Sequence, residues 1–411
     1  MFDIFPFPVK TETEKFVEEE LSNISMPEMK GKDGRFQYTI TDVKITELNL
    51  THAELKFIPN VGLLFDVQNS SISLTFNRRI LYWFLRVYDF LARVLTTGMR
   101  FVLNQQICPA LNHAALVDVN SMLDTIPVRT EVDEFIGIDY ALIDDPVVTS
   151  QSLDMHFRGM FFDLAHQNIT QVNSAVDPVI REYDRMVYLA LSEFFFDSGM
   201  FSYYTAGIFQ TEIVNEKVQR HLSTLHSLLS LPLSLSLSLS NPALVDSPLS
   251  LQLAVNSPPK TTIKTSGATV VMTAIVKVMV LPPGQDPVQL SSMTMEAKFN
   301  AKVSMRGKRL SVHADLRRFK IFSNQSALES LALIPLQAPL KTMLQMSVVP
   351  LINNWTKRGV RIPLADGMDF IEEVVEYHNG FIVIGANLHF SKGLRDMVAG
   401  SMETAAQNNT L

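Results

Sequence analysis

Residues 84–127 read FLRVYDFLARVLTTGMRFVLNQQICPALNHAALVDVNSMLDTIP, and this stretch predicts a long apolar helix pair around which the rest of the chain is organised. Its polar positions, Arg86, Asp89, Arg93, Thr97, Arg100 and Asn104, recur every three or four residues and draw one narrow wet stripe on an apolar cylinder. Tyr88, Leu91, Leu95, Met99 and Val102 lie opposite that stripe. Phe84, Phe90, Leu103 and residues 111–123 widen the apolar face beyond what contact with one sheet needs. Two readings stand side by side. A core helix between sheets accounts for any single residue, and a helix that holds a lipid against a sheet accounts for the width of the face.

Upstream, residues 10–24 predict a short helix: Val17, Leu21 and Ile24 share a face, glutamates crowd its start, and Pro27 marks the exit. Alternating runs between Phe36 and Phe76 predict an antiparallel meander with one buried face. The meander ends at Ile80, Leu81, Tyr82 and Trp83 and passes into the helix without a turn signal, an abrupt junction for a strand and a helix. Beyond Pro127 come Glu131–Ile136, a strand near Ile138–Ile143 and a closing strand at Leu153–Phe162. Residues 163–185 are polar, contain Pro178 and show no clear period, which marks a linker.

The second half restarts with apolar strands over Met186–Phe196. The tract LSLPLSLSLSLS, Leu229–Ser240, alternates perfectly and reads equally as a strand or as a slipped or intron-derived insertion. Val270–Leu281 contains Thr273 and Lys277 and predicts a buried strand. Met293, Met295, Ala297, Phe299, Ala301, Val303 and Met305 alternate with polar residues, Gly307 turns the chain, and Leu310, Val312, Ala314 and Leu316 continue the pattern, so a long hairpin is predicted. A second apolar helical region, Ser326–Ile352, is broken by Pro335, Pro339 and Pro350. The halves correspond in outline. Ile126-Pro127-Val128, Asp133-Glu134-Phe135 and His156-Phe157 match Ile362-Pro363-Leu364, Asp369-Phe370 and His389-Phe390 in order and near-spacing, so a duplicated domain is the economical account.

With 411 residues, 47% of them hydrophobic and 19% charged, the chain is long enough and apolar enough for two domains with full cores. No apolar run reaches the roughly eighteen residues that span a bilayer. The N-terminal stretch MFDIFPFPVKTETEK lacks the basic and apolar regions of a signal peptide, so either the chain stays inside the cell or its true start is missing. Seven N-x-S/T sequons, at Asn23, Asn49, Asn69, Asn168, Asn324, Asn354 and Asn408, lean towards secretion, whereas the single cysteine, Cys108, suits a reducing compartment. Residues 1–160 carry 14 Lys and Arg against 22 Asp and Glu, a poor partner for nucleic acid or for endotoxin phosphates. Arg306, Lys308, Arg309, Arg317, Arg318 and Lys320 form the one basic concentration and read first as a solvated hairpin surface, second as a contact for lipid headgroups.

Catalytic signatures are missing: there is no G-x-S-x-G, H-E-x-x-H, P-loop or Cys-x-x-Cys. His156 and His389 read as strand residues, with no partner at metal-like spacing, and no metal is expected. The pairs Asp144-Asp145 and Glu372-Glu373 are sequence neighbours that point apart and read as surface charge. Binding rather than catalysis is the expectation.

Five stretches carry a family resemblance: NQQICPALNHA, VNSMLDTIPVRTEVDEFIGIDYALIDDPV, LDMHFRGMFF, DRMVYLALSEFFFDSGM and, above all, SNQSALESLALIPLQAPLKTMLQ. With them the chain resembles the family of bactericidal permeability-increasing protein, lipopolysaccharide-binding protein and cholesteryl ester transfer protein over nearly its whole length. The resemblance implies an α+β fold of two similar antiparallel barrel-plus-long-helix domains joined by a central sheet in a boomerang. Each domain would hold a phospholipid in an apolar pocket against its helix. It implies non-enzymatic transfer of phospholipids between lipoprotein or membrane surfaces, remodelling of high-density particles, secretion, and glycosylation at sequons including Asn23, Asn49, Asn69, Asn168, Asn324 and Asn354. The family also carries a signal peptide and, near Phe84, a block of strands holding the disulfide partner of the cysteine that matches Cys108; neither is present here, which accounts for the abrupt junction and the lone cysteine.

On this reading residues 1–162 form an N-terminal lipid-binding domain that is incomplete relative to the family, 163–185 the linker, 186–395 a C-terminal lipid-binding domain and 396–411 a polar tail. The expected lipid-contacting side chains are Tyr88, Leu91, Leu95, Met99 and Val102 in the first half, and Leu328, Leu331, Leu340, Met343 and Leu344 in the second. Phospholipid is cargo rather than cofactor, and contact with lipid surfaces is peripheral. An endotoxin-binding defence protein and a lipid-binding scaffold without transfer are the alternatives.

Overall fold

The computed structural model describes residues 7–22, 28–33, 36–49, 52–68, 71–81, 108–113, 119–124, 126–169, 171–182, 184–213, 249–323, 337–394, 396–397 and 399–400. Most of the long helix expected from residue 84 onwards and the whole Leu-Ser tract lie outside these residues. In chain order, α1 (Phe7–Ser22) precedes β1 (Met29–Asp33), β2 (Phe36–Asn49), β3 (His52–Ile58), β4 (Gly62–Gln68) and β5 (Ser71–Leu81). Short helices α2 (Cys108–His113) and α3 (Val119–Asp124) lead into β6 (Arg129–Glu131), β7 (Ile136–Asp139), β8 (Val147–Val148), β9 (Leu153–Asp154) and β10 (Met160–Asp163). The second half contributes β11 (Val187–Ser192), α4 (Glu193–Thr205), β12 (Gln210–Ile213), β13 (Leu249–Val255), β14 (Lys260–Lys264), β15 (Gly267–Val280), β16 (Val288–Arg306) and β17 (Arg309–Phe322). Then come α5 (Gln337–Met343), a π-helical turn (Leu344–Val348), α6 (Val349–Thr356), β18 (Val360–Arg361), β19 (Met368–Tyr377) and β20 (Phe381–Phe390).

The predicted hairpin is the spine of the second half. Met293, Met295, Ala297, Phe299, Ala301, Val303 and Met305 are all buried, while Ser292, Glu296, Asn300, Lys302, Ser304 and Arg306 face water, the period of two that a half-buried antiparallel strand demands. β16 lies between β15 and β17 in a seven-stranded sheet ordered β12-β13-β15-β16-β17-β18, with β14 also on β15. The hairpin turns at Gly307, whose φ of 51° favours glycine and whose N–H donates to the Glu373 carboxylate at 2.5 Å. A bulge between Lys298 and Phe299 opposes one residue too many on β17. As a result β17 changes phase: Leu310 and Ala314 point inward before it, Phe319 and Ile321 after it, and Arg317 and Arg318 are both exposed.

That one sheet face serves two cores. Met293 to Phe299 of β16, with Met272, Ala274 and Val276 of β15, belong to a cluster capped by α5 and the π turn. Ala301, Val303 and Met305, with Ala268 of β15, belong to a second cluster with Ile136, Ile138 and Tyr140, Phe161, Phe195, Phe370, Ile382 and Ile384. Residues 136–161 thus share a core with the strands that follow residue 263, and the Tyr140 hydroxyl donates to the Arg361 carbonyl at 2.8 Å. Here β11-β20-β19 and β10-β7-β6 form two further antiparallel three-stranded sheets. A third, small cluster joins the chain's extremities: Phe16 of α1 is buried with Ala365 and Met397.

Several sequence expectations change. The residues from Phe36 to Phe76 do not form a simple meander: β2 runs unbroken for 14 residues, through a bulge at Asp42 (φ 55°), and pairs with β5, while β3 and β4 form a separate hairpin between them. The apolar stretch Met186–Phe196 is strand only to Ser192. From Glu193 it is helix, because Glu193 and Asp197, one turn apart, accept the backbone N–H groups of Ile263 and Thr261 at 2.7 and 2.6 Å. Ser198 and Ser202 on the buried side satisfy their hydroxyls on Phe195 and Ser198 carbonyls. The strands expected at 138–143 and 153–162 shrink to Ile136–Asp139, Leu153–Asp154 and Met160–Asp163, and His156 lies between β9 and β10 rather than in a strand, whereas His389 is in β20. α1 starts earlier than expected, at Phe7.

Glu372 and Glu373 are more than surface charge. Glu372, at φ 54° in the bulge of β19, accepts from Arg185 at 2.8 Å and Asn387 at 2.7 Å, and Glu373 holds the Gly307 turn. Asp144 and Asp145 are exposed, as expected.

Asp139 is 1% exposed at the end of β7. Burial alone would raise its pKa, but the Ala141 N–H and the guanidiniums of Arg129 and Arg158, at 2.9 to 3.1 Å, outweigh it and hold the carboxyl below its ordinary value. A carboxyl depressed in this way stabilises the fold fully above its unfolded pKa of about 3.9 and loses that contribution as pH falls through the lower folded value. Asp139→Asn is therefore expected to cost about 1–3 kcal/mol near neutral pH, with the gap to the unsubstituted chain closing below about pH 4. Urea denaturation at the two pH values checks it.

Candidate functional site

In the second half an apolar helical segment packs on one face of the seven-stranded sheet. Leu340 of α5 and Leu344 of the π turn are 4% and 1% exposed, packed with Leu253 and Val255 from β13, Met272 from β15, Met293 and Met295 from β16, and Phe319 and Ile321 from β17. Tyr204, at the end of α4, and Phe209 pack on its edge. Three of the buried members of this hydrophobic cluster are methionines, and Leu344 is the more buried of the two leucines that the helical segment contributes. Flexible thioethers fill irregular volume and tolerate repacking, which suits a surface that exchanges one apolar occupant for another.

The prolines shape the segment instead of breaking it. Pro339 sits in the first turn of α5, where its missing N–H is an orphan in any case. Pro350 is the second residue of α6, and its ring would press on the carbonyl four residues back, in the turn before. That turn is the π turn Leu344–Val348, whose wider coil takes up the conflict and carries the helix axis on. Asn353 then pins α6 to the sheet edge: its side-chain oxygen accepts the Ala314 N–H at 2.7 Å and its amide donates to the Ala314 carbonyl at 2.9 Å. On the outer side Met346, Leu351 and Trp355 are exposed, at 71%, 44% and 44%, beside the polar Gln345 and Asn354.

Of the side chains expected to contact lipid, Leu340 and Leu344 come together here and Met343 ends α5. Tyr88, Leu91, Leu95, Met99, Val102, Leu328 and Leu331 lie outside the described residues. Tyr204, Phe209 and Asn353 were missed by sequence reasoning. A signal for the first existed in the spacing of Glu193, Asp197, Ser198 and Ser202, which is helical; none existed for Asn353, whose partner lies 39 residues away in sequence. Among the sequons, Asn49, Asn168 and Asn354 are exposed, Asn354 within α6, and Asn23, Asn69, Asn324 and Asn408 lie outside the described residues. Cys108 opens α2.

The basic cluster divides. Lys308 is half-buried and donates to the Leu364 and Ala365 carbonyls at 3.2 and 2.8 Å, and Arg309 donates to the Arg358 carbonyl at 2.8 Å, so both hold the turn to the chain beyond α6. Arg306, Arg317, Arg318 and Lys320 are solvated.

Residues 9–87 match the N-terminal domain, and residues 130–390 the C-terminal domain, of the LBP / BPI / CETP family. The human and mouse proteins named phospholipid transfer protein are 48% and 46% identical to this chain, over 95% of it and 89% of each relative. Their alignments run over 442 positions against a chain of 411, so the relatives carry stretches that this chain lacks. The crystal structure of lipopolysaccharide binding protein superposes with a TM-score of 0.54 at 16% identity, covering 95% of this chain and 98% of that one, a likeness of fold.

Truncating Asn353 to Ala strands the Ala314 N–H and carbonyl under α6. It is expected to cost about 1–3 kcal/mol, against about 2–5 kcal/mol for Leu344→Ala, which opens a cavity in the capped cluster. Guanidinium denaturation of both variants checks the ranking.

Proposed function

This chain belongs to the LBP / BPI / CETP family, and on that premise we propose that it binds phospholipid between apolar helix and sheet and transfers it between lipid surfaces without a covalent step. The observation that carries the reading is the identity of 46–48% with proteins named phospholipid transfer protein, which extends over 95% of the chain; the match to the family's C-terminal domain, residues 130–390, includes the segment that bears Leu340 and Leu344. The physics agrees. Burying an acyl chain is worth about 0.8 kcal/mol per methylene, and the methionine-rich sheet face under α5 offers a hydrophobic cluster for it. A ligand held by area alone leaves as it entered once a receiving surface offers equal burial.

Phospholipid is the cargo, and the surfaces served are those of lipoprotein particles or membranes. Among the described residues no helix is long and apolar enough to cross a membrane, which fits a peripheral visitor to such surfaces. The sequons support secretion, with Asn49, Asn168 and Asn354 exposed for glycosylation. The endotoxin-binding alternative has weaker support, from 16% identity to lipopolysaccharide binding protein and an acidic first half.

The purified chain is expected to retain phospholipid on native mass spectrometry and to move fluorescent phosphatidylcholine from donor to acceptor vesicles. Leu340→Asp with Leu344→Asp should remove one bound lipid and cut the transfer rate at least about tenfold, since charges in the apolar cluster oppose acyl burial. Leu91→Asp with Leu95→Asp tests the first-half site separately. A chain that carries no lipid and moves none would refute the reading.

A further inference from the structure

Where β19 turns into β20, three potential metal ligands converge from two distant parts of the chain. Glu376 and His378 are two residues apart and so project to the same side of the extended chain, and Glu182 reaches them from the segment between β10 and β11. His378 Nε2 lies 3.7 Å from Glu182 Oε1 and 4.0 Å from Glu376 Oε2, and all three ligand atoms are within 4.8 Å of one another. Among the described residues this is the one group of three His, Cys, Asp or Glu side chains so placed.

A second observation points to a ligand. The His378 side chain is 32% exposed, but its Nε2 is turned away from solvent and makes no hydrogen bond. Both carboxylates stand beyond hydrogen-bond reach of it, so a buried nitrogen is left facing two anionic groups with a gap between them. The imidazole stacks on Phe381 at 5.0 Å and 10°, and the backbone N–H of His378 donates to the Phe381 carbonyl at 2.9 Å, which closes the turn that carries both rings. Carboxylate and imidazole ligands of a tetrahedral zinc lie about 2.0–2.2 Å from the ion, which places them roughly 3.4 Å apart. The observed spacing is wider than that value, and closing it calls on the Glu182 and Glu376 side chains, which are 26% and 54% exposed.

We propose that Glu182, Glu376 and His378 bind one zinc ion, water completing its coordination. The donor set, one imidazole nitrogen and two carboxylates, suits zinc better than calcium, which prefers an all-oxygen shell of six or more ligands. The ion staples the 171–182 segment to the β19–β20 corner, where the Gly380 carbonyl accepts the Glu193 N–H and the Gly380 N–H donates to Ile263, so the staple sits against the second core and away from the helix-covered sheet face.

The test is zinc titration of the full chain by calorimetry, with trypsin cleavage after the exposed Arg181 as an independent readout. Glu182→Gln lies on an exposed segment, and His378→Phe keeps a ring to stack on Phe381, so both variants retain the fold; urea denaturation of the metal-free proteins confirms it. One zinc per chain is expected, with affinity lowered on the order of tenfold or more in each variant. Cleavage after Arg181 should be slowed by zinc in the unsubstituted chain and not in His378→Phe. Failure to bind zinc, binding that both variants leave unchanged, or unaltered cleavage at Arg181 would overturn the proposal. Lipid transfer is measured separately, so neither result depends on the other.

Discussion

The structure depends on the continuity of one face of three long strands. β15, β16 and β17 each present every second side chain to the same side for most of their length, and β16, with 19 residues, extends about 60 Å at the rise of an antiparallel strand. No single core is that long. The face is therefore divided, with Met293 to Phe299 under the helical segment and Ala301 to Met305 against the small sheets. The bulge opposite Lys298 and Phe299 falls where one core gives way to the other. Extra twist at that place lets one rigid hairpin meet two differently oriented partners, a helix on one side and strands on the other.

This division separates roles. The core shared by residues 136–161 and the strands after residue 263 is bound by backbone pairing and by polar fasteners such as Tyr140 to Arg361, Tyr203 to Asp133 and Val303 to Tyr377. The other core is closed by α5, the π turn and α6, which are held to the sheet by packing and by Asn353. A cover fastened at one edge is easier to lift than a paired strand, because lifting it breaks no ladder.

What the sequence made legible follows from range. The hairpin of β16 and β17, the buried β15 and the first helix rest on alternation or helical period within a few residues, and each was readable; the phase change of β17 after Leu316 was not, because it follows from the bulge opposite Lys298 and Phe299. The helix after Ser192 was hidden because Phe194, Phe195 and Phe196 are consecutive, and a continuous apolar run erases the period that tells helix from strand. The pairing of β2 with β5 was hidden for a different reason. Adjacent strands suggest a meander, and a hairpin set aside between two partners changes no residue's own pattern. Asn353 with Ala314, and Glu182 with His378, join positions 39 and 196 residues apart, where spacing rules have no reach.

The burial of Phe16 against Ala365 and Met397 has a consequence in time. α1 is made about 350 residues before Ala365, part of the apolar surface that buries it. At roughly 5–20 residues per second on the ribosome, Phe16 and Val17 wait on the order of half a minute for the surface that covers them. During that interval an amphipathic helix with a bare face travels with a half-built sheet. Its docking waits for the segment that bears Ala365 and Met397, and that segment decides whether Phe16 finds shelter.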